Sequence, residues 1–228
     1  MFTKTNILSA CALLLLVSES YAGFGLETTR VIYHEKNNSE GVVAFNTDKG
    51  RNYLLQSWVE DKAGNVSPDF VSTPPLVKLR AEKKNTLQVT KVASLPADRE
   101  SLYWLNVKFV APSEEGQENV LRYSMTNRIK ILYRPAALDN SRDIETYADK
   151  LDWSVSGNRL TVNNSTPYYV NVSKITVNNQ EVKLPSGYIS PKSAETITAP
   201  QVIKAPANVK LTYINDYGKA VELYYSAK

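Results

Sequence analysis

The sequence predicts an all-β protein folded as two antiparallel sandwiches of the immunoglobulin type. Three observations lead there. Short runs rich in Val, Ile, Tyr and Thr recur between turn signals, while amphipathic helical periodicity is scarce. Seven such runs fill about 110 residues, the spacing of an immunoglobulin-like domain. The pattern breaks once, at Arg134-Pro135-Ala136-Ala137, and stays polar through Arg142 before short strands resume. Proline cannot continue a ladder, so a domain boundary is expected there.

The expected division is a cleaved leader over 1–22, a first domain over 23–140 and a second over 141–228. Lys4 gives the leader a positive start, Ile7 to Val17 an apolar run, and Ser20-Tyr21-Ala22 a cleavage site. That run is short of the roughly 20 residues a bilayer crossing takes, and no later segment comes close, so no membrane insertion of the mature chain is expected. Leu8-Ser9-Ala10-Cys11 looks like a lipid-attachment box, but its leucine-rich stretch follows the cysteine instead of preceding it.

In the first domain the expected strands are Leu26–Tyr33, Gly41–Asn46, Tyr53–Val59, Leu76–Leu79, Leu87–Val89, Leu102–Phe109 and Val120–Tyr133. Asp48-Lys49-Gly50, Ala63-Gly64-Asn65, Thr73-Pro74-Pro75, Leu95-Pro96-Ala97-Asp98 and Pro112–Asn119 separate them. The second domain gives Leu160–Asn163, Tyr168–Val177, Glu181–Leu184, Glu195–Thr198, Val209–Ile214 and Val221–Tyr225. Its turns are Gly157-Asn158, Asn178-Asn179, Pro185-Ser186-Gly187 and Tyr217-Gly218.

Val120–Tyr133 is too long for an ordinary strand. Leu121, Tyr123, Met125, Asn127, Ile129, Ile131 and Tyr133 alternate with Arg122, Ser124, Thr126, Arg128 and Lys130. One strand of that length spans roughly 45 Å, whereas most strands stop at about five or six residues. Two outcomes are open. A tall sandwich buries the whole apolar row, or Leu121, Tyr123 and Met125 outrun the core and form an exposed edge that a partner must take up.

Composition narrows the function. The charge is +2 in the first domain (16 basic, 14 acidic) and +2 in the second (10 basic, 8 acidic). Neither has the basic stripe of a nucleic-acid binder. Removal of Cys11 leaves no thiol, and His34 is the single histidine, so no disulfide, catalytic triad or His/Cys metal cluster is available. No enzyme activity, metal or cofactor is expected.

Several blocks resemble the periplasmic chaperones of the chaperone–usher pilus pathway. They are Thr29-Arg30-Val31-Ile32-Tyr33, Gln56-Ser57-Trp58-Val59, Thr73-Pro74-Pro75-Leu76, Leu95 to Val107, Arg128 to Pro135 and Tyr213 to Gly218, in the family's order across nearly the whole mature chain. The resemblance implies two immunoglobulin-like domains in a boomerang with a cleft between them. It also implies a long strand donated to pilus subunits that lack one, a β-augmentation. Leu121, Tyr123 and Met125 fall where the family places its groove-filling residues, although Tyr and Met replace the usual smaller aliphatics. Arg30 and Lys130 match the pair that anchors a subunit's terminal carboxylate. Glu100, Arg134 and Asp216 match a charged set linking the domains. The short segment Val110–Asn119 and the lack of cysteine resemble the short-loop subfamily. The partners implied are pilus subunits, an outer-membrane usher and a second copy capping the donor strand, all in the periplasm. The rival from another class is a structural pilus subunit or adhesin, which would be one truncated sandwich.

Overall fold

The structure, a computed structural model, describes residues 23–112 and 124–228. The expected leader lies outside the described residues. In the first half, β1 (Phe24–Leu26), β3 (Glu40–Asn46), β7 (Lys84–Lys91) and β5 (Phe70–Thr73) form a four-stranded antiparallel sheet in that order. A five-stranded sheet faces it, ordered β2 (Arg30–His34), β9 (Ser124–Arg134), β8 (Ser101–Val110), β4 (Tyr53–Glu60) and β6 (Leu76–Leu79). The pairing of β2 with β9 is parallel and the others are antiparallel.

Strand periodicity explains the packing. In β4, Tyr53, Leu55, Ser57 and Val59 point inward and are buried, while Leu54, Gln56, Trp58 and Glu60 face out. The inward sets of the two sheets make one core, including Val42, Leu87, Leu105, Val107, Phe109 and Ile131.

The second half has its own core around Trp153, Leu160, Val162, Val170, Ile197 and Leu211. One sheet orders β10 (Leu151–Ser156), β11 (Arg159–Asn164) and β15 (Ser193–Thr198). The other orders β13 (Gln180–Val182), β12 (Val170–Val177), β16 (Ala207–Ile214) and β17 (Ala220–Ala227), with β14 (Tyr188–Ile189) also on β12. Asn178 and Asn179, both with positive φ (48° and 68°), close the β12–β13 hairpin.

Several elements differ from the sequence expectation. The run Leu26–Tyr33 is two strands in two sheets: β1 pairs with β3 and β2 with β9. Between them the Thr28 hydroxyl donates to the Arg30 carbonyl at 2.6 Å, a local bond that competes with a continuous ladder. Strand β5 lies just before the expected Thr73-Pro74-Pro75 turn, and β10 was not anticipated. The polar segment after Pro135 holds a short helix α1 (Ser141–Thr146), and a 3-10 turn over Tyr147–Lys150 buries Tyr147 and Ala148.

Candidate functional site

Strand β9 carries the site. Its inward residues Ile129, Ile131 and Tyr133 belong to the first core, but Met125, directly opposite the buried Phe109, is 44% exposed. Strand β2 pairs with β9 only from Lys130 to Arg134. From Ser124 to Ile129, β9 is hydrogen-bonded to β8 alone, and among the described residues its other edge is open. Leu121 and Tyr123 lie outside the described residues.

The open edge ends at two cations. Arg30 and Lys130 are register partners across β2 and β9, and cross-strand pairing continues the row through Trp104 on β8 to Glu60 on β4. The Arg30 Nη1 donates to the Ile214 carbonyl at 3.0 Å, and the Lys130 Nζ donates to the Gly187 carbonyl at 3.3 Å. Among the described residues neither forms a salt bridge. Burial lowers the Arg30 guanidinium, with Asp216 opposing, and burial followed by repulsion from Arg30 lowers the Lys130 ammonium. Among the described residues, two half-buried positive groups thus stand side by side without a salt-bridge partner.

Aromatic rings surround them. The Lys130 Nζ lies 5.5 Å from the Tyr188 ring centre and 5.9 Å from that of Trp104. The Arg128 guanidinium sits 4.2 Å over Trp104 and pairs with Glu60 at 3.2 Å. Arg30, Trp104, Arg128 and Lys130 border a cleft of about 560 Å³ whose opposite wall, Asn171, Val172, Ser186, Ile214 and Gly218, comes from the second sandwich.

Behind the cleft the two halves are tied by charge and by apolar contact. Arg134 bonds Glu100 Oε1 through Nη2 at 2.7 Å and Nε at 2.8 Å, and Asp216 Oδ2 through Nη1 at 2.6 Å. The other Glu100 oxygen accepts the Tyr169 N–H at 2.7 Å. Burial pushes the Glu100 carboxyl up, against the pull of Arg134 and that N–H. Burial alone would lower the Arg134 guanidinium, but Glu100 and Asp216 raise it. Next to this cluster Leu102 and Leu132 meet Tyr169 and Tyr188, with Ile32 and Trp104 packed against them.

The structure therefore brings Arg30 next to Lys130, and Glu100 and Asp216 onto Arg134. Trp104, Tyr188 and Asn171 were not singled out from the sequence. Leu132 did carry a signal, as the apolar exception on the otherwise polar face of β9.

Two sandwiches with an open strand edge leading into a cationic cleft match what the resemblance to periplasmic pilus chaperones implies. Comparison with known proteins identifies the family. The "Pili and flagellar-assembly chaperone, PapD N-terminal domain" matches residues 23–139, and the "Pili assembly chaperone PapD, C-terminal domain" matches residues 146–225. The chain belongs to this family of pilus assembly chaperones. It is 37% identical to the probable fimbrial chaperone LpfB of Escherichia coli O157:H7, covering 94% of this chain and 93% of that one. It is 36% identical to the chaperone FimC of E. coli K12, covering 90% and 84%. Among solved structures, a Salmonella enterica complex of SafA pilin with the SafB chaperone matches with a TM-score of 0.78 at 27% identity, covering 92% and 98%.

Proposed function

We propose that this chaperone works in the periplasm, captures pilus subunits by lending them β9, and passes them to an outer-membrane usher. The observation that carries the reading is the position of the unneutralised pair Arg30 and Lys130 at the end of the open Ser124–Ile129 edge. A subunit strand added to that edge gains main-chain hydrogen bonds, and its side chains alternate into pockets. Strand pairing alone leaves register loose, because a slip of two residues keeps the same face inward. A terminal carboxylate held by a two-pronged guanidinium and a compact ammonium fixes register and direction together. Met125, with Leu121 and Tyr123, supplies the apolar row that enters the subunit's groove. Glu100, Arg134 and Asp216 hold the domains at the angle the cleft needs. In the free protein a second copy caps the edge.

The test is co-purification of a tagged pilus subunit, co-expressed in the periplasm, with wild type and an Arg30→Ala, Lys130→Ala double variant. Circular dichroism serves as the folding control. The double variant is expected to fold and to recover no subunit. Normal recovery by a folded double variant would sink the carboxylate anchor.

A further inference from the structure

The cleft contains one polar group that the cation pair leaves unexplained. Asn171, on β12, lines it and is only 5% exposed, yet its Oδ1 is buried without a hydrogen-bond donor. Buried side-chain acceptors are nearly always satisfied, so such an orphan calls for a partner. Its place relative to the anchor is fixed by the backbone. The Gly187 carbonyl accepts both the Lys130 Nζ at 3.3 Å and the N–H of Val172, the residue after Asn171, at 3.1 Å. Asn171 is also the register partner of Tyr188, whose ring lies 5.5 Å from the same Nζ.

The donors and acceptors of the cleft are unequal. Arg30, Lys130 and Arg128 donate only and can accept nothing. The carbonyls of Ile214 and Gly187 already receive Arg30 and Lys130. A carboxylate satisfies the cations but brings no donor for Asn171. A peptide C-terminus brings both, because the main-chain nitrogen of its last residue lies two bonds from the carboxylate carbon.

We infer that Asn171 is a specificity residue, which accepts the main-chain N–H of the ligand's last residue through Oδ1 while Arg30 and Lys130 hold its carboxylate. The cleft then reads a peptide terminus and not merely an anion. This rests on the carboxylate reading of the cleft, and its test keeps the two apart.

The probe is a fluorescein-labelled peptide of alternating threonine and valine residues ending in a free carboxylate. Two analogues accompany it: one whose last peptide bond is an ester, which removes the N–H without adding bulk, and one ending in a carboxamide. Affinities are measured by anisotropy on the whole chaperone. Wild type is expected to bind the ester about tenfold more weakly than the amide, the size of one lost buried hydrogen bond. Asn171→Leu should bind ester and amide alike. Asn171→Ala is the second variant, read the same way should the leucine protein not fold. Equal binding of ester and amide by wild type overturns the inference, as does a tenfold gap that survives in either variant. Failure of the acid peptide to bind, or equal binding of the carboxamide, removes the carboxylate reading and this inference with it.

Discussion

Replacing Arg134 with alanine strands Glu100 in a site where its side chain is 1% exposed. Glu100 loses both bonds from the guanidinium and keeps the Tyr169 N–H. Removing one partner of a buried ion pair costs about 3–5 kcal/mol. In a chain of this size that lowers Tm by roughly 6–20 °C, at about 2–4 °C per kcal/mol. Asp216, at 14% side-chain exposure, recovers solvation more easily and adds less.

The cost should also depend on pH, in a direction set by Glu100. Burial already pushes its carboxyl above the unfolded value of 4.5. With Arg134 gone, the opposing pull is gone and the folded value climbs further. A carboxyl raised in the folded state gives stability that is complete below its unfolded value and is lost as pH rises through the folded one. The slope for one proton is about 1.4 kcal/mol per pH unit. Arg134→Ala should therefore be more damaging at pH 8 than at pH 5, and Glu100→Gln, which keeps a polar group and leaves Arg134 with Asp216, should cost less. Calorimetry at both pH values and small-angle scattering provide the assay. A variant with wild-type Tm and scattering at both would refute the reasoning, and a Glu181→Ala control on the exposed pair with Lys174, which lies wholly within the second domain, should leave Tm unmoved.

Three further outcomes are expected. Leu132→Ala removes a side chain 1% exposed between the domains and should cost about 2–5 kcal/mol, with scattering showing a looser interdomain angle; unchanged stability and scattering would count against a packed junction. Met125→Glu, at a position 44% exposed, should leave stability within about 0.5 kcal/mol of wild type yet abolish subunit co-purification, because a charge then enters an apolar groove. Burial and Arg30 lower the Lys130 ammonium below its ordinary 10.5, so the free chaperone loses this charge earlier in the alkaline range than an exposed lysine would. Acid-peptide affinity should fall there with proton uptake on binding, seen as a buffer-dependent heat in titration calorimetry. Lys130→Arg should remove both effects.

Where structure follows from two-residue periodicity, the sequence was legible. Strand β4 and the described part of β9 could be placed from alternation alone, and so could the excess length of β9, but alternation left open whether Met125 would be buried or, as found, exposed. The sheet switch inside Leu26–Tyr33 could not be read. The break is marked by a Thr28 hydroxyl bond to the Arg30 carbonyl, within a run that is mostly β-forming apart from Glu27 and Arg30. Strand β10 was missed although Leu151, Trp153 and Val155 alternate with polar residues, because the preceding segment is polar and short. Arg30 and Lys130 were reachable only through family resemblance, since a cation on a strand face is ordinarily solvated. Asn171 opens an Asn-x-Ser triplet in the sequence, but what distinguishes it in the cleft is the lack of a donor in three dimensions.

The two charge clusters behind and within the cleft are built on the same strand and the same hairpin. Lys130 and Arg134 both lie on β9. The last residue of β16 supplies the Ile214 carbonyl to Arg30, and the turn that follows supplies the Asp216 carboxylate to Arg134. One cluster is closed: Arg134 meets two carboxylates, and its side chain is 2% exposed. The other is left positive, with carbonyl oxygens and aromatic rings in place of counter-ions. Neutral acceptors soften the repulsion between Arg30 and Lys130 without cancelling it, so the folded protein keeps a preference for an incoming anion. Closing the first cluster anchors the turn that shapes the second. Loosening Arg134 should therefore weaken carboxylate capture even where both sandwiches remain folded, and acid-peptide binding by Arg134→Ala at pH 5, where its stability loss is smallest, separates that effect from unfolding.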